Sequence, residues 1–432
     1  MRQFPQKPPA ATGAAQAPQP LLERPALRPA GARQVLRDVG RPYLSNGLIG
    51  FIFTASGPIA VTLAIGTVAG LTQGQLASWV FGILFSGGAA TVIMSLLYRQ
   101  PLGFAWSIPG TVLLGPSLEH LSFPEVVGAF FTSGALILAL GVTGVIRRIM
   151  DVVPMPIVMA MVAAVFLRFG TDIVVSTQAN PGIAGPMVAA FVVLSAVPAL
   201  GRVLPPILGT VLAGCFAVAV SGQFTPGEAG PFLAAPVFTA PEFTWAAQLE
   251  LMVPLALTVL FVQNGQGTAV LRAANHRPPV NVFAIASGAF SLLNAAFGAV
   301  SACVTGPTNA LLTSSGSRER QYTAAVAYGV LALACAALAP TLTRLMVATP
   351  TEFVLTLGGI AMLRALQHAF VTAFATTYTL GSLVTFVVTL SGIDLFNIHA
   401  AIWGLMVGCT ISRLLERADY SEPRRQEPVD HP

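Results

Sequence analysis

An interrupted apolar stretch occurs twice in this chain, and few folds accommodate it. Pro101-Leu-Gly-Phe-Ala-Trp-Ser-Ile-Pro-Gly-Thr111 breaks a long apolar region with two Pro and two Gly around an aromatic pair. Ser301-Ala-Cys-Val-Thr-Gly306-Pro-Thr-Asn309 does the same, and Gly110 falls on Gly306, 196 positions later (306 − 110). A continuous membrane helix carries such residues singly. Each stretch therefore reads as a short extended segment, Phe104 to Ser107 in the first copy, followed by a half-helix starting near Pro109 or Gly306. Irregular backbone at membrane depth persists only where protein or a water-filled cavity satisfies its polar groups, so the two breaks are expected to line a cavity.

The same offset aligns Pro58-Ile-Ala-Val-Thr62 with Pro254-Leu-Ala-Leu-Thr258, Arg148-Ile-Met150 with Arg344-Leu-Met346, Pro154 with Pro350, and Leu167-Arg168 with Leu363-Arg364. The chain is a duplication, and interrupted segments in matching places of two halves point to a transporter binding site. With 54% hydrophobic and 9% charged residues and a mean hydropathy of +0.75, a soluble protein is excluded, since about 25% charged is usual there. The fold class expected is an all-α polytopic membrane protein with about fourteen transmembrane segments in two inverted repeats of seven, the third and tenth broken into half-helices. An odd number per repeat is what turns the second copy upside down. A count of twelve, merging short segments, leaves both termini on the same side.

The domain reading places a disordered, basic cytoplasmic tail at 1–44, the first repeat at 45–222, a Pro- and Gly-rich extracytoplasmic linker at 223–247, the second repeat at 248–416 and a second cytoplasmic tail at 417–432. With both termini inside, Arg99, Arg147, Arg148, Arg202, Arg272, Arg277, Arg318, Arg320 and Arg364 fall on the cytoplasmic side, leaving Arg168 and Arg344 outside. The net charge of +5 therefore reflects loop anchoring at the lipid bilayer rather than nucleic-acid binding. Cys215, Cys303, Cys335 and Cys409 lie in apolar runs without paired spacing and read as small core residues; no metal or other cofactor is expected.

Candidate ligand contacts follow from the breaks. Half-helices starting near Pro109-Gly110 and Gly306-Pro307 would aim their N-termini at each other, and free amides at a positive dipole end attract an anion by about 0.3–1 kcal/mol each, up to ~2 when partly buried. Ser107, Thr111, Thr305, Thr308 and Asn309 add short donors. Period-two alternation puts Phe104 and Trp106 on one face, an aromatic pair suited to a flat ring bearing a carboxylate; the alternative is plain packing against a neighbouring helix. Gln263, Asn264 and Gln266, with Gly265 and Gly267, are costly in an apolar helix, so Gln263 and Asn264 are expected to contact ligand or half-helix, with helix–helix bonding as the alternative. Proton-coupling candidates are Glu250 and Asp394, the least settled of the carboxylates near segment ends, and His368 and His399 in apolar sequence; interfacial anchoring or core hydrogen bonding is the competing reading for each.

Tyr98-Arg-Gln-Pro-Leu-Gly-Phe-Ala-Trp-Ser-Ile-Pro-Gly110 resembles the Pro, Ala-Trp-Ser and Pro-Gly pattern of bacterial benzoate/proton symporters. Gln263-Asn264 with Gly267-Thr-Ala-Val-Leu271, Phe166-Leu-Arg-Phe-Gly170 and Phe396-Asn-Ile-His-Ala-Ala-Ile-Trp-Gly404 are similar to the same family, and the resemblance runs from about Ser45 to Arg413. The wider kin, nucleobase and sulfate-type carriers, imply seven-plus-seven inverted repeats with core (45–148, 248–346) and gate (149–222, 347–416) parts. They also imply substrate held between the half-helices and alternating access. The resemblance implies import of a small aromatic carboxylate with protons across a bacterial inner membrane, and leaves a homodimer open. Its nucleobase-carrying kin place a Glu where this chain has Gln263, which cannot titrate. A carrier of another small anion or a nucleobase, or an anion channel, is the rival reading, although no ring of charges or filter motif appears. An enzyme is not expected, because no acid, base and metal residues converge.

Overall fold

The structure, a computed structural model, describes residues 22–55, 57–144, 154–225, 230–393 and 400–421. A short helix, α1 (Ala32–Asp38), precedes α2 (Arg41–Ala55), α3 (Gly57–Val68) and α4 (Gln73–Tyr98). After strand β1 (Phe104–Trp106) come α5 (Ile108–Ser117), α6 (Phe123–Thr143), α7 (Met155–Ala179), α8 (Pro181–Ala196) and α9 (Pro206–Ser221). The second half opens on α10 (Trp245–Ala273), then α11 (Val280–Ala296), strand β2 (Ala302–Val304), α12 (Gly306–Thr313), α13 (Tyr322–Ala337), α14 (Ala339–Val347), α15 (Thr351–Ala373), α16 (Thr379–Ser391) and α17 (Ala400–Leu415).

Local sequence explains several boundaries. Thr72 and Gln75 form a reciprocal capping box at the start of α4, as do Ser122 and Glu125 at α6. Pro254 lacks the N–H that would bond the Glu250 carbonyl, and α10 widens on either side of it into two π-helical stretches, Gln248–Met252 and Thr258–Gln263. Pro340 opens α14, which bends by 74° from the helix before it. Among the described residues six helices are long and apolar enough to cross a membrane, seven if that bent pair is one span, beside shorter apolar helices. The chain is a mostly helical, multi-pass membrane protein.

The duplication is visible in the packing. Helices α7 and α15 start 196 positions apart (351 − 155), each behind a Pro, and lie against each other. Gly88 of α4 and Gly329 of α13 let two backbones touch: a Cβ on either would sit 2.8 Å from the other's carbonyl oxygen.

At the centre, β1 and β2 pair antiparallel, with Phe104 opposite Val304 and Trp106 opposite Ala302. The outer edges of this two-stranded ribbon bond to side chains rather than water. Thr91 Oγ1 accepts from Phe104 N (2.8 Å) and donates to Phe104 O, Asn264 Oδ1 accepts from Val304 N (2.9 Å), and Ser291 Oγ accepts from Ala302 N (3.0 Å). Asn309 closes one end, its Oδ1 accepting from Gly103 N and its Nδ2 donating to Gly103 O, both at 2.9 Å.

Two expectations are corrected. The tail is not disordered throughout 1–44: from Glu23 it is docked, because the Glu23 carboxylate accepts from Asn281 N and Val282 N at the start of α11, and Ala30 N donates to Leu96 O. Asp38 accepts from Gln34 and Tyr322 and lies 3.7 Å from Arg99. Burial acts to raise the Asp38 carboxyl, but hydrogen bonds from Gln34 and Tyr322 and the charge of Arg37 outweigh it and hold it below the ordinary value. Its contribution to stability is therefore full at neutral pH and lost as pH falls through that depressed range. Cys215 is exposed on α9 rather than in the core, as an apolar surface facing lipid permits; Cys303 is buried.

Asn309→Leu strips the Gly103 amide of its partner inside a dry core, at about 1–3 kcal/mol, and leaves the Gly103 carbonyl with only the longer bond from Thr305 N (3.3 Å). The variant should melt well below the parent in detergent, as followed by intrinsic fluorescence; an unchanged melting temperature would show that the ribbon end is held by other contacts.

Candidate substrate-binding site

Because β1 and β2 run antiparallel, the helices that follow them, α5 and α12, leave the ribbon in opposite directions. Each begins with Pro at its second position, where a missing N–H costs nothing. Their starts differ. Ser107 Oγ accepts from Gly110 N (3.0 Å) and donates to Thr258 Oγ1 of α10 (3.0 Å), so α5 is capped and tied. Thr305 makes no side-chain cap on α12, and its buried Oγ1 has no hydrogen-bond partner. First-turn amides of α12 are thus the more open to an anion.

A cavity lies beside these two helix starts. It measures about 60 Å³ as space open to the centre of a water molecule, on the order of four to six waters at the 10–15 Å³ each needs. Its wall is formed by Phe53, Thr54 and Pro58; Ala105, Trp106, Ile108 and Pro109; Phe166; Val262, Gln263 and Gln266; Thr305, Pro307 and Thr308; and Met362. None of these side chains is charged. Trp106 is held by its Nε1–H, which donates to Thr62 Oγ1 (3.1 Å), and Thr308 Oγ1 lies 3.4 Å from Thr54 Oγ1.

The structure thus brings Trp106, Pro109, Gln263, Thr305 and Thr308 to one cavity. Gly110 and Gly306 stand at the helix starts without lining it, and a Cβ on Gly306 would meet Gln266 Cβ at 3.0 Å. Ser107 and Thr111 are buried and committed, Thr111 Oγ1 donating to Ser107 O. Asn264 and Asn309 serve the ribbon, and Gly267 permits its approach, since a Cβ there would lie 2.6 Å from Val304 Cγ1. Phe104 does not line this cavity: it packs edge-on against Phe283 of α11, ring centroids 6.0 Å apart, which is the helix packing given as its alternative.

Of the titratable candidates, Glu250 is buried on α10, where it accepts from Ser117 Oγ at the end of α5 and lies 2.9 Å from His120 Nε2. His368 is exposed on α15, away from the cavity wall, and Asp394 and His399 lie outside the described residues. Gln266, Phe53, Thr54, Phe166 and Met362 line the cavity without having been expected there. Gln266 was signalled by its carboxamide neighbours and Phe166 by the Phe-Leu-Arg-Phe-Gly stretch; Thr54 and Met362 carry no local signal.

This architecture is shared with solved anion-transporter structures. The chain superposes on SLC26A9 with a TM-score of 0.58 at 12% identity, covering 86% of this chain and 64% of that one, and so spans under two-thirds of that protein's resolved length. On the transmembrane domain of a cyanobacterial bicarbonate transporter, BicA, the TM-score is 0.53 at 12% identity, over 91% of this chain and 99% of that one. The fold is thus the membrane fold these two transporters share. The family described as BenE, benzoate membrane transport protein, matches residues 37–414, and the chain belongs to it. Relatives include the inner membrane protein YdcO of Escherichia coli (strain K12), 28% identical over 86% of this chain and 95% of that protein. Another is the benzoate membrane transport protein of Acinetobacter baylyi, 25% identical over 84% and 92%.

Trp106→Leu removes a ring from the cavity wall, whereas Phe104→Leu alters packing behind it. Ligand competition should shift from aromatic toward aliphatic acids in the first variant and keep its order in the second; identical ranking in both would remove Trp106 from the site. Gly306→Leu, which must displace Gln266, is expected to abolish binding while the protein stays monodisperse on size-exclusion chromatography.

Proposed function

We propose that this protein imports benzoate or a similar aromatic carboxylate together with protons, by alternating access, across a bacterial inner membrane with both termini cytoplasmic. The observation that carries the reading is the cavity: neutral, flanked by Trp106, Phe53 and Phe166, and set at the uncapped start of α12. Four to six waters correspond to about 120–180 Å³ of liquid at ~30 Å³ each, room for one benzoate-sized guest. A carboxylate there would be met by α12 amides and by hydroxyls of Thr305, Thr308 and Thr54, while the ring lies among apolar side chains. Binding through dipoles rather than a fixed cation keeps release easy, as a carrier requires.

In this reading the fourteen apolar elements are membrane segments, α5 and α12 being half-helices. The core is 45–148 with 248–346, and the gate is 149–222 with 347–416. The cavity wall supports that division, since Phe166 and Met362 come from the gate and the remaining lining from the core. Movement of α7 and α15 against the ribbon would then uncover the ligand on alternate sides.

Because Gln263 cannot titrate, the proton is assigned to Glu250 with His120. A proton on either Nε2 or Oε2 preserves their hydrogen bond, and Ser117 holds the other carboxylate oxygen, so the pair takes up one proton without stranding a buried group. Other carboxylates at this end are Glu119 beside His120, Glu125 at the start of α6, whose field reaches His120, and Glu242, whose N–H donates to Pro124 O. No Lys or Arg side chain makes an ion pair with any of them among the described residues.

Purified protein in liposomes should accumulate labelled benzoate under an inward proton gradient, and no uptake of any aromatic acid would sink the proposal. Glu250→Gln should keep benzoate counterflow within about threefold of the parent yet lose gradient-driven accumulation. Accumulation at the parental level would move the proton elsewhere.

A further inference from the structure

A larger cavity, about 790 Å³ on the same measure, shares two walls with the small one. Helix α5 gives Ile108 and Pro109 to the small cavity and Val112, Leu113 and Pro116 to the large one; α7 gives Phe166 to the first and Ala164, Val165, Leu167, Arg168 and Phe169 to the second. The two spaces therefore share this helix pair, the small one at the start of α5 and the large one toward its end. Neither helix end here is basic. Because Glu250 of α10 meets Ser117, the large cavity lies toward the α10 N-terminus, opposite the end where Arg272, Arg277, Arg99 and Arg320 gather. Arginine segregation makes that arginine-rich end cytoplasmic and the large cavity extracytoplasmic.

Arg168 is the sole cationic side chain in the wall of either cavity. It is exposed to the space, and its guanidinium has no hydrogen bond or salt bridge among the described residues. Asp172, one helical turn on, feels its charge without an ion pair within 4.0 Å, and Glu119 lies across the cavity. A guanidinium standing free in a wide, partly apolar chamber matches a carboxylate in a two-bond fork, and it acts over a longer range than a helix end, whose field fades within a turn.

We propose that Arg168 is an outer docking site that takes the carboxylate of an incoming aromatic acid before the acid passes between α5 and α7 into the small cavity. The inference rests on the proposed transport of aromatic carboxylates. Asp172 and Glu119 keep the arginine from binding too tightly: the acid exchanges places with their fields rather than with a permanent partner. Docking raises the rate of arrival but leaves the affinity of the inner cavity alone, because Arg168 touches only the larger space.

Proteoliposomes carrying wild type, Arg168→Gln and Arg168→Lys would be compared in labelled benzoate uptake at low and high ionic strength, with equilibrium benzoate binding measured on the same purified proteins. For Arg168→Gln, kcat/KM at low salt should fall about tenfold and lose its decline with added salt, while Kd stays within about twofold. Arg168→Lys, keeping charge without the fork, should fall between the two. A Kd that rises by the same factor as kcat/KM falls would place Arg168 in the inner site or in the scaffold, and an unchanged kcat/KM would remove it from the path; either overturns the proposal. Failure of the transport reading shows separately, as wild type that takes up no aromatic acid.

Discussion

The backbone of Phe104–Trp106 and Ala302–Val304 cannot reach water, and the whole centre of the molecule is organised by that fact. Two three-residue strands satisfy each other on one edge only, which leaves the outer edges needing partners that a helix of apolar residues does not offer. Thr91, Ser291, Asn264 and Asn309 supply them, one from each of four surrounding helices. The same four bonds fix where those helices can stand. A single unmet amide here costs as much as several well-packed methyl groups return, so the ribbon fixes the placement of the helices around it.

What the ribbon positions is a pair of helix starts that are alike in backbone and unlike in use. Ser107 turns its hydroxyl onto Gly110 and also bonds Thr258, which spends the donors of α5 on structure. Thr305 leaves the first turn of α12 uncapped and keeps an unpartnered hydroxyl beside the cavity. The two strands thus lead into two helix starts, and Ser107 before one and Thr305 before the other, with different neighbours, leave the first capped and the second open. Under the proposed function, that difference would let a cavity with no charged side chain favour an anion.

Much of this was legible in the residues. Two breaks rich in Pro and Gly at a fixed offset implied extended segments followed by short helices, and Asn264 was expected at ligand or half-helix because a carboxamide in an apolar helix must bond something; it bonds the strand ahead of α12. Phe104 was not set apart from Trp106 because alternation says which residues share a side of a strand, not which neighbouring helix each ring meets, and Phe104 meets Phe283 of α11. The docking of Glu23 and Asp38 was hidden because a Pro- and Ala-rich tail carries no periodicity; the bonds it makes are to backbone amides of α11 and to Tyr322, which no local pattern announces. Thr54 and Met362 entered the cavity through tertiary packing alone.

The separation of Glu250 from the cavity bears on how coupling would work. Helices α5 and α10 are joined at two places, Ser107 to Thr258 beside the cavity and Ser117 to Glu250 at the far end of α5. At about 1.5 Å per residue the ten positions between Ser107 and Ser117 span roughly 15 Å, too far for a proton on Glu250 to touch the ligand carboxylate directly. Both joints fall in the π-helical stretches of α10, where the backbone bonding is least regular and a change of register costs least. A proton at one joint would therefore be felt at the other through the seating of one helix on its neighbour. Had Gln263 been acidic, proton and carboxylate would have met inside the cavity; with a neutral amide there, the proposed coupling would leave the anion to the cavity and the message to the helix pair.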